Sequence, residues 1–430
     1  MAKKKVNLNT VVEKWLQEQL PKMSNEQVKE LYEHPEIMVE AVLQGVKQAC
    51  ERNGIDYTTT PIYQEELKFR QQQEDDKASR ERWEHLNTPE GIDLFDMAFR
   101  VAWRRKMVSH RVYDVLKYGF DSFTPAGFKE FMDKYVLRDK PARFIGKKTA
   151  EELIRFNEFY DQNFSLDLFS QLSHKEQLLC YATYIAVRLT DEQKQFVLQF
   201  IDEHNRLPMF RLITMFYENM DERRYVAARE YYGLCGGERK SIEQIQSELG
   251  VSKQRTHEII YSGFPGGLYG KRRPVSCWEA YRSLFTEPIL TADNCHYEEI
   301  KEQEHLQMDV DCFLRVLGIC LPWADIVHSA KNRDERFWAI AVPGAEQFSF
   351  DRLFWDIRQE QINKDRSEEV VFNLTKICKS KKYWESYPEP VEPNPEAFPT
   401  IISVVKVIVK EMLGIEVKGN KIIFAPKRNH

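Results

Sequence analysis

The 430 residues carry 42% hydrophobic and 12% aromatic side chains beside 30% charged ones, which excludes a disordered chain and allows more than one core. A formal net charge of -5 excludes a uniformly basic coat protein, so any nucleic-acid contact has to come from local patches. No run of about 18 apolar residues is long enough to span a bilayer.

The chain opens Met-Ala-Lys-Lys-Lys, without the apolar core of a signal peptide, so a cytoplasmic protein without a membrane partner is expected. Lys3, Lys4 and Lys5 read as solvated. Thr10 with Glu13 makes a capping box ahead of Val12, Trp15, Leu16 and Leu20 on one helical face, ended by Pro21. Ser24 with Gln27 repeats the device before Val28, Leu31, Ile37, Val42, Leu43 and Val46, interrupted by Pro35. Residues 65–84 are Gln-rich and charged and read as an exposed helix or spacer, closing an N-terminal helical unit at residues 1–86.

Thr88-Pro89-Glu90 starts a helix carrying Ile92, Leu94, Phe95, Ala98, Phe99 and Trp103. Helical periodicity then dominates to about residue 385, so the expected fold class is mostly α and multidomain. The segments are placed at 87–160, 161–285, 286–386 and 387–430. In the last, a helix through Ile402, Val405, Ile408 and Val409 precedes two short β-runs around Gly419-Asn420, a small C-terminal α/β-hairpin unit. Its Lys418, Lys421, Lys427 and Arg428 suit either a winged-helix remnant touching phosphate or a hairpin closing a small core.

Eight cysteines occur without a C-x-x-C pair or histidines at metal-ligand spacing, and read as reduced core thiols. Asp309, Asp311, Asp325 and His328 read as surface groups on amphipathic helices. There is no P-loop, G-x-S-x-G, H-E-x-x-H or dinucleotide fingerprint, so no cofactor is expected and the chain reads as a non-enzyme.

Two stretches remain that carry a binding chemistry. In the first, Ile242, Ile245 and Leu249 form the apolar stripe of a short helix, Gly250 supplies a positive-φ turn, and Ser252 caps a second helix with inner face Thr256, Ile259 and Ile260. The outer face near its start carries Lys253, Gln254, Arg255, His257 and Glu258, side-chain types that bond base edges and phosphates in a major groove. This is the pattern of a helix-turn-helix; the plainer alternative is a helical hairpin used for packing.

The second stretch runs from residue 103 to 149, with twelve Lys or Arg against five acids, a local balance of +7. Ser109-His110-Arg111 opens one helix through Val112, Val115 and Leu116 towards Gly119, and Phe144-Ile145-Gly146-Lys147-Lys148-Thr149 opens another through Leu153. A glycine before a lysine-bearing helix start lets the backbone approach a phosphate. A helix-hairpin-helix is expected, suited to backbone contact rather than base reading; the alternative is a plain basic helical domain.

Residues from about 205 to 265 resemble region four of the housekeeping-type bacterial sigma factors. The resemblance is carried by Tyr231-Tyr232-Gly233-Leu234, Gly236-Gly237-Glu238 and Leu249-Gly250-Val251-Ser252-Lys253-Gln254-Arg255. It implies base reading by Gln254, Arg255 and Glu258 and phosphate contacts by Arg239 and Lys240; the exposed start of the second helix adds His257 to the readers and Ser252 and Lys253 to the DNA backbone contacts. Gln254 stands where that family usually has Glu, Gln246 where it has a small residue and Thr256 where it has an apolar β-branched one, so no sequence preference transfers.

Residues from about 100 to 160 resemble the C-terminal domain of the RNA polymerase alpha subunit at Ser109, Arg111, Gly119, Gly146, Lys147, Lys148, Thr149 and Glu152. This implies backbone contacts by Arg111, Gly146, Lys147, Lys148 and Thr149; Asp114 replaces the usual Asn. The reading is a sigma-like transcription regulator or promoter-associated factor whose partners are double-stranded DNA and RNA polymerase. The alternatives are an assembly scaffold built on degenerate DNA-binding folds and an accessory DNA-binding protein of a mobile element or phage.

Overall fold

The computed structural model describes residues 35–52, 54–118, 123–137, 145–264, 274–321, 323–328, 337–363, 366–384 and 391–426. The expected helix after Thr10, the Ser24 capping box, Gly119, Phe144, Lys427 and Arg428 lie outside them. The chain divides into two compact units, Met1–His85 with Ala126–Lys147, and Leu86–Pro125 with Lys148–His430.

Among the described residues the fold is mostly helical. In chain order the helices are α1 (Pro35–Arg52), α2 (Pro61–Trp83), α3 (Pro89–Arg104), α4 (His110–Tyr118), α5 (Pro125–Phe131), α6 (Lys147–Asn163), α7 (Leu166–Ser170), α8 (His174–Ala186), α9 (Asp191–His204) and α10 (Met209–Glu218). They continue with α11 (Arg223–Tyr232), α12 (Ile242–Leu249), α13 (Lys253–Gly263), α14 (Val275–Trp278), α15 (Tyr297–Glu304), α16 (Val310–Cys320), α17 (Phe350–Ile362), α18 (Leu374–Cys378) and α19 (Phe398–Glu411). No described helix is long and apolar enough to cross a membrane.

Two small antiparallel sheets interrupt the helices. One has the order β1-β3-β2, from β1 (Ile289–Leu290), β2 (Asp325–His328) and β3 (Phe337–Ile340); the other has the order β4-β6-β5, from β4 (Val370–Asn373), β5 (Val417–Lys418) and β6 (Lys421–Phe424). The hairpin expected around Gly419-Asn420 is β5–β6, but it is not self-contained. Its inner strand pairs with β4 in the register Val371 with Ile423, so the C-terminal unit recruits residues before 387. Strands of two to four residues are too short to show a period-two pattern, which is why the first sheet left no trace in the sequence.

In the first unit, α1 and α2 enclose Val42 and Leu43, with Val39, Val46, Ile62 and Phe69 around them. Pro35 occupies the first turn of α1, where its missing N–H costs nothing. The helix expected in residues 65–84 is present in α2, yet Glu66 on it is buried rather than solvated. Its carboxylate accepts from Lys47 Nζ (2.8 Å), Arg70 Nη2 (2.9 Å) and the Tyr57 hydroxyl (2.9 Å). Burial alone would raise its pKa, but these three donors outweigh it and hold the group below the usual glutamate range.

In the second unit, one apolar cluster runs from Leu94 on α3 to Ala339 on β3, and the boundaries drawn at 160/161 and 285/286 both fall inside it. A second cluster joins β4–β6, α17 and α19, whose stripe Ile401, Val404, Val405, Ile408 and Val409 faces inward at helical spacing. The start of α3 is as expected, with the Thr88 hydroxyl accepting from Gly91 N–H at 3.0 Å. Leu94, Phe95, Ala98 and Phe99 are buried, but Trp103 is 40% exposed.

Carboxylates from distant parts of the chain close several helix ends of this unit. Asp93 accepts from the N–H groups at Val275 (2.7 Å) and Ser276 (3.4 Å) at the start of α14. Glu304, fully buried, accepts from Phe210 N–H (3.0 Å) and Arg211 N–H (3.1 Å) at the start of α10, where Pro208 offers no side-chain cap. Arg206 (3.1 Å) and the Tyr281 hydroxyl bond its other oxygen. Burial raises the Glu304 pKa despite Arg206. Asp309 and Asp325 are also caps, accepting from Cys312 N–H and Phe350 N–H at 2.8 Å each.

All eight cysteines are free thiols, as the sequence suggests, but only six are buried. Cys235 is half-buried, and Cys180 departs from the expected core position by lying exposed on α8.

Candidate nucleic-acid interface

Residues 241–263 form two helices around one turn, and each boundary has a local cause. The Ser241 hydroxyl accepts from Gln244 N–H (3.2 Å) while the Gln244 side chain accepts from Ser241 N–H (2.7 Å), starting α12. Gly250 ends it at φ +62°, a left-handed conformation that glycine adopts without steric cost. The Ser252 hydroxyl then accepts from Arg255 N–H at 3.3 Å and starts α13.

The inner faces meet α11. Ala227, Ile245, Ile259 and Ile260 bury one another, with Tyr231, Tyr232, Leu249 and Val251 at the margin. Gly263 is the point of closest approach: a Cβ there would lie 1.9 Å from the carbonyl oxygen of Arg224 and 2.9 Å from the Ala228 side chain. The Tyr217 hydroxyl on α10 donates to the Gly263 carbonyl at 2.9 Å, and Tyr232 stacks on Phe264 at 3.9 Å between ring centroids. Arg315 on α16 lies over the Tyr232 ring at 5.2 Å, so α11 is held by residues far along the chain.

The outer face of α13 presents Lys253, Gln254, Arg255, His257 and Glu258 together, all exposed, while Thr256, Ile259 and Ile260 point inward. Arg255 bonds Glu258 at 2.7 Å, Gln254 reaches the same carboxylate at 3.4 Å, and Lys253 pairs with Glu243 at 3.0 Å. The Glu243 carboxyl is held below its ordinary range, chiefly by the Lys253 hydrogen bond. His257 has no side-chain partner among the described residues.

Arg239 and Lys240 do not share that face as free cations. Arg239 pairs with Asp309; Lys240 lies between Glu230 (3.1 Å) on α11 and Glu248 (2.8 Å) on α12, which raise its pKa, Glu248 more than Glu230. Residues 221–263 contain seven Lys or Arg and seven Asp or Glu, so this segment is neutral.

The second stretch differs in charge. Arg111 on α4 is exposed, as are Gly146, Lys147 and Lys148 at the start of α6. Among the described residues none of these three cations has an ion pair. Thr149 corrects the sequence reading: at 6% exposure it faces the interior and cannot meet a phosphate as α6 stands. Glu152 is buried too, and its carboxylate accepts from Ser109 N–H at 3.0 Å, tying the start of α4 to the first turns of α6. Gly146 and Lys147 belong to the first unit; Arg111, Lys148 and Thr149 belong to the second.

Residues 109 and 152, or 210 and 304, bear no short-range relation, so sequence spacing gave no sign of these caps. No acid, thiol and histidine cluster that could hold a metal occurs among the described residues. No family model matches the chain, and no curated protein or solved structure matches it either.

Proposed function

We propose that the chain binds double-stranded DNA, with α12, the Gly250 turn and α13 acting as a helix-turn-helix in which the first half of α13 enters the major groove. One observation carries this reading. Five consecutive-turn side chains of base-bonding type are exposed together on α13, while the same helix buries Thr256, Ile259 and Ile260. Base edges are read by Gln254, Arg255, His257 and Glu258, and Ser252 and Lys253 sit beside the backbone. A packing hairpin has no need of an exposed Gln-Arg-x-His-Glu array at its capped end.

The ion pairs on this face do not oppose the reading. Surface pairs are worth about 0 to 1 kcal/mol, whereas an arginine bonding guanine in bidentate fashion gives about 1 to 3 kcal/mol of discrimination. Arg255 and Lys253 therefore exchange Glu258 and Glu243 for DNA at little cost. Arg239 and Lys240 would do so at the expense of links between α11, α12 and α16, and contribute less.

Phosphate affinity is supplied elsewhere in this reading, by Lys147 and the Gly146 backbone of the first unit and by Arg111 and Lys148 of the second, contacts that hold backbone without reading sequence. Action at promoters beside RNA polymerase belongs to the same proposal and rests on the resemblances alone. A second reading, an assembly scaffold using these folds for protein contact, is favoured by the neutrality of residues 221–263.

A mobility-shift titration of the full chain on random duplex at several salt concentrations decides between them. A DNA binder shifts the duplex and loses affinity steeply as salt rises, because neutralised phosphates release counterions. No shift at low salt overturns the proposal and leaves the scaffold.

A further inference from the structure

The second unit contains a groove of about 1100 Å³ lined by none of the residues assigned to DNA. Its walls are largely apolar, from Met97 and Val101 on α3, Phe164 and Leu168 around the start of α7, and Leu179 on α8. Leu168 remains 43% exposed, an apolar side chain in an open concavity instead of a closed core.

Polar groups gather at one part of this lining. Arg104 and Arg105 close α3, both exposed and without an ion pair among the described residues; Arg105 lies over the Phe159 ring at 5.7 Å. The neighbouring Arg100, by contrast, is engaged by Asp96 at 2.6 Å. Tyr184, in the groove wall on α8, is 7% exposed, and its hydroxyl has no hydrogen-bond partner among the described residues. A buried hydroxyl left unpaired is costly and calls for an explanation.

An apolar concavity of this size with a few convergent polar groups is the form of a small-molecule site. Two unpaired guanidinium groups select a negative head, since they present paired donors in the geometry of a carboxylate. We infer that this groove binds single molecules of an amphipathic carboxylic acid, the apolar body lying against Met97, Val101, Leu168 and Leu179 and the carboxylate meeting Arg104 and Arg105. The Tyr184 hydroxyl, at the wall beside them, is the third donor.

The test titrates the full chain with dodecanoate and with dodecanol, both below micelle formation, by calorimetry. Wild type should bind dodecanoate saturably at one equivalent. Arg104→Glu with Arg105→Glu, at two exposed positions, should weaken dodecanoate at least tenfold and leave dodecanol unchanged. Leu179→Trp, filling the groove, should abolish both. Dodecanoate should also slow maleimide labelling of Cys180, an exposed thiol in the groove lining, in the unmodified chain, which decides the matter if Leu179→Trp fails to fold. The inference is overturned by unsaturable uptake, by equal weakening of both probes in the double variant, by unaltered Cys180 labelling, or by attachment to dodecanoate-bearing vesicles without binding of the monomer.

Discussion

In the proposed reading, residues 221–263 and residues 103–149 divide the requirements of DNA binding between them. The first has the shape: two capped helices, a left-handed glycine and an exposed polar array, but equal numbers of acids and cations. The second has the charge, a balance of +7, with Arg111, Lys147 and Lys148 exposed and without an ion pair among the described residues, and its Ser109 N–H is held by the buried Glu152 just beyond it. Shape selects and charge attracts, because base-edge bonds are directional while phosphate attraction is long-ranged and indifferent to sequence. A resemblance that weighs motif letters sees the first segment more clearly; a count of charge sees only the second.

The sharpest way to break this comparison is Gly263→Ala. The added Cβ would overlap the Arg224 carbonyl, so α13 must move off α11, at a cost of about 3 kcal/mol. Thermal melting should fall by several degrees and selective binding should vanish with it. Unchanged melting would mean that α13 is not packed where its polar face is displayed.

Lys147→Glu with Lys148→Glu tests the charged partner. Affinity should drop about tenfold or more on every duplex alike, and the slope of log affinity against log salt should shrink by about two, one phosphate for each lysine. An unaltered slope removes the start of α6 from the DNA.

Arg255→Ala should act the other way, relaxing preference between selected and scrambled sites by about 1 to 3 kcal/mol while melting is retained. Equal losses on both sites at one salt concentration would reduce Arg255 to a backbone contact and leave the segment without a reader.

The smallest effect concerns Glu243. Its folded pKa lies below the unfolded value, so its interaction with Lys253 stabilises the fold above the unfolded carboxyl pKa and is lost as pH falls through the folded one. Lys253→Met should raise the Glu243 titration midpoint, read by carboxyl NMR. A midpoint that stays in place would mean Lys253 is already free for phosphate.

Local signals in the sequence were enough for the helix ends of the first segment and for the start of α3. Ser241 with Gln244, Gly250, Ser252 and Thr88-Pro89 determine helix ends through bonds spanning three or four residues, and the Ile259–Ile260 stripe determines which face turns inward. Side chains that meet across the fold were decided by tertiary structure alone. Thr149 turned inward, Arg239 and Lys240 found acids on other helices, Glu304 capped a helix that starts 95 residues earlier, and β4 joined a hairpin more than 40 residues downstream. The groove beside Arg104 and Arg105 likewise exists only once α3, α7 and α8 are packed. The physical reason is range: caps and periodicity are read within one or two helical turns, whereas burial and ion pairing depend on which distant surfaces the core brings together.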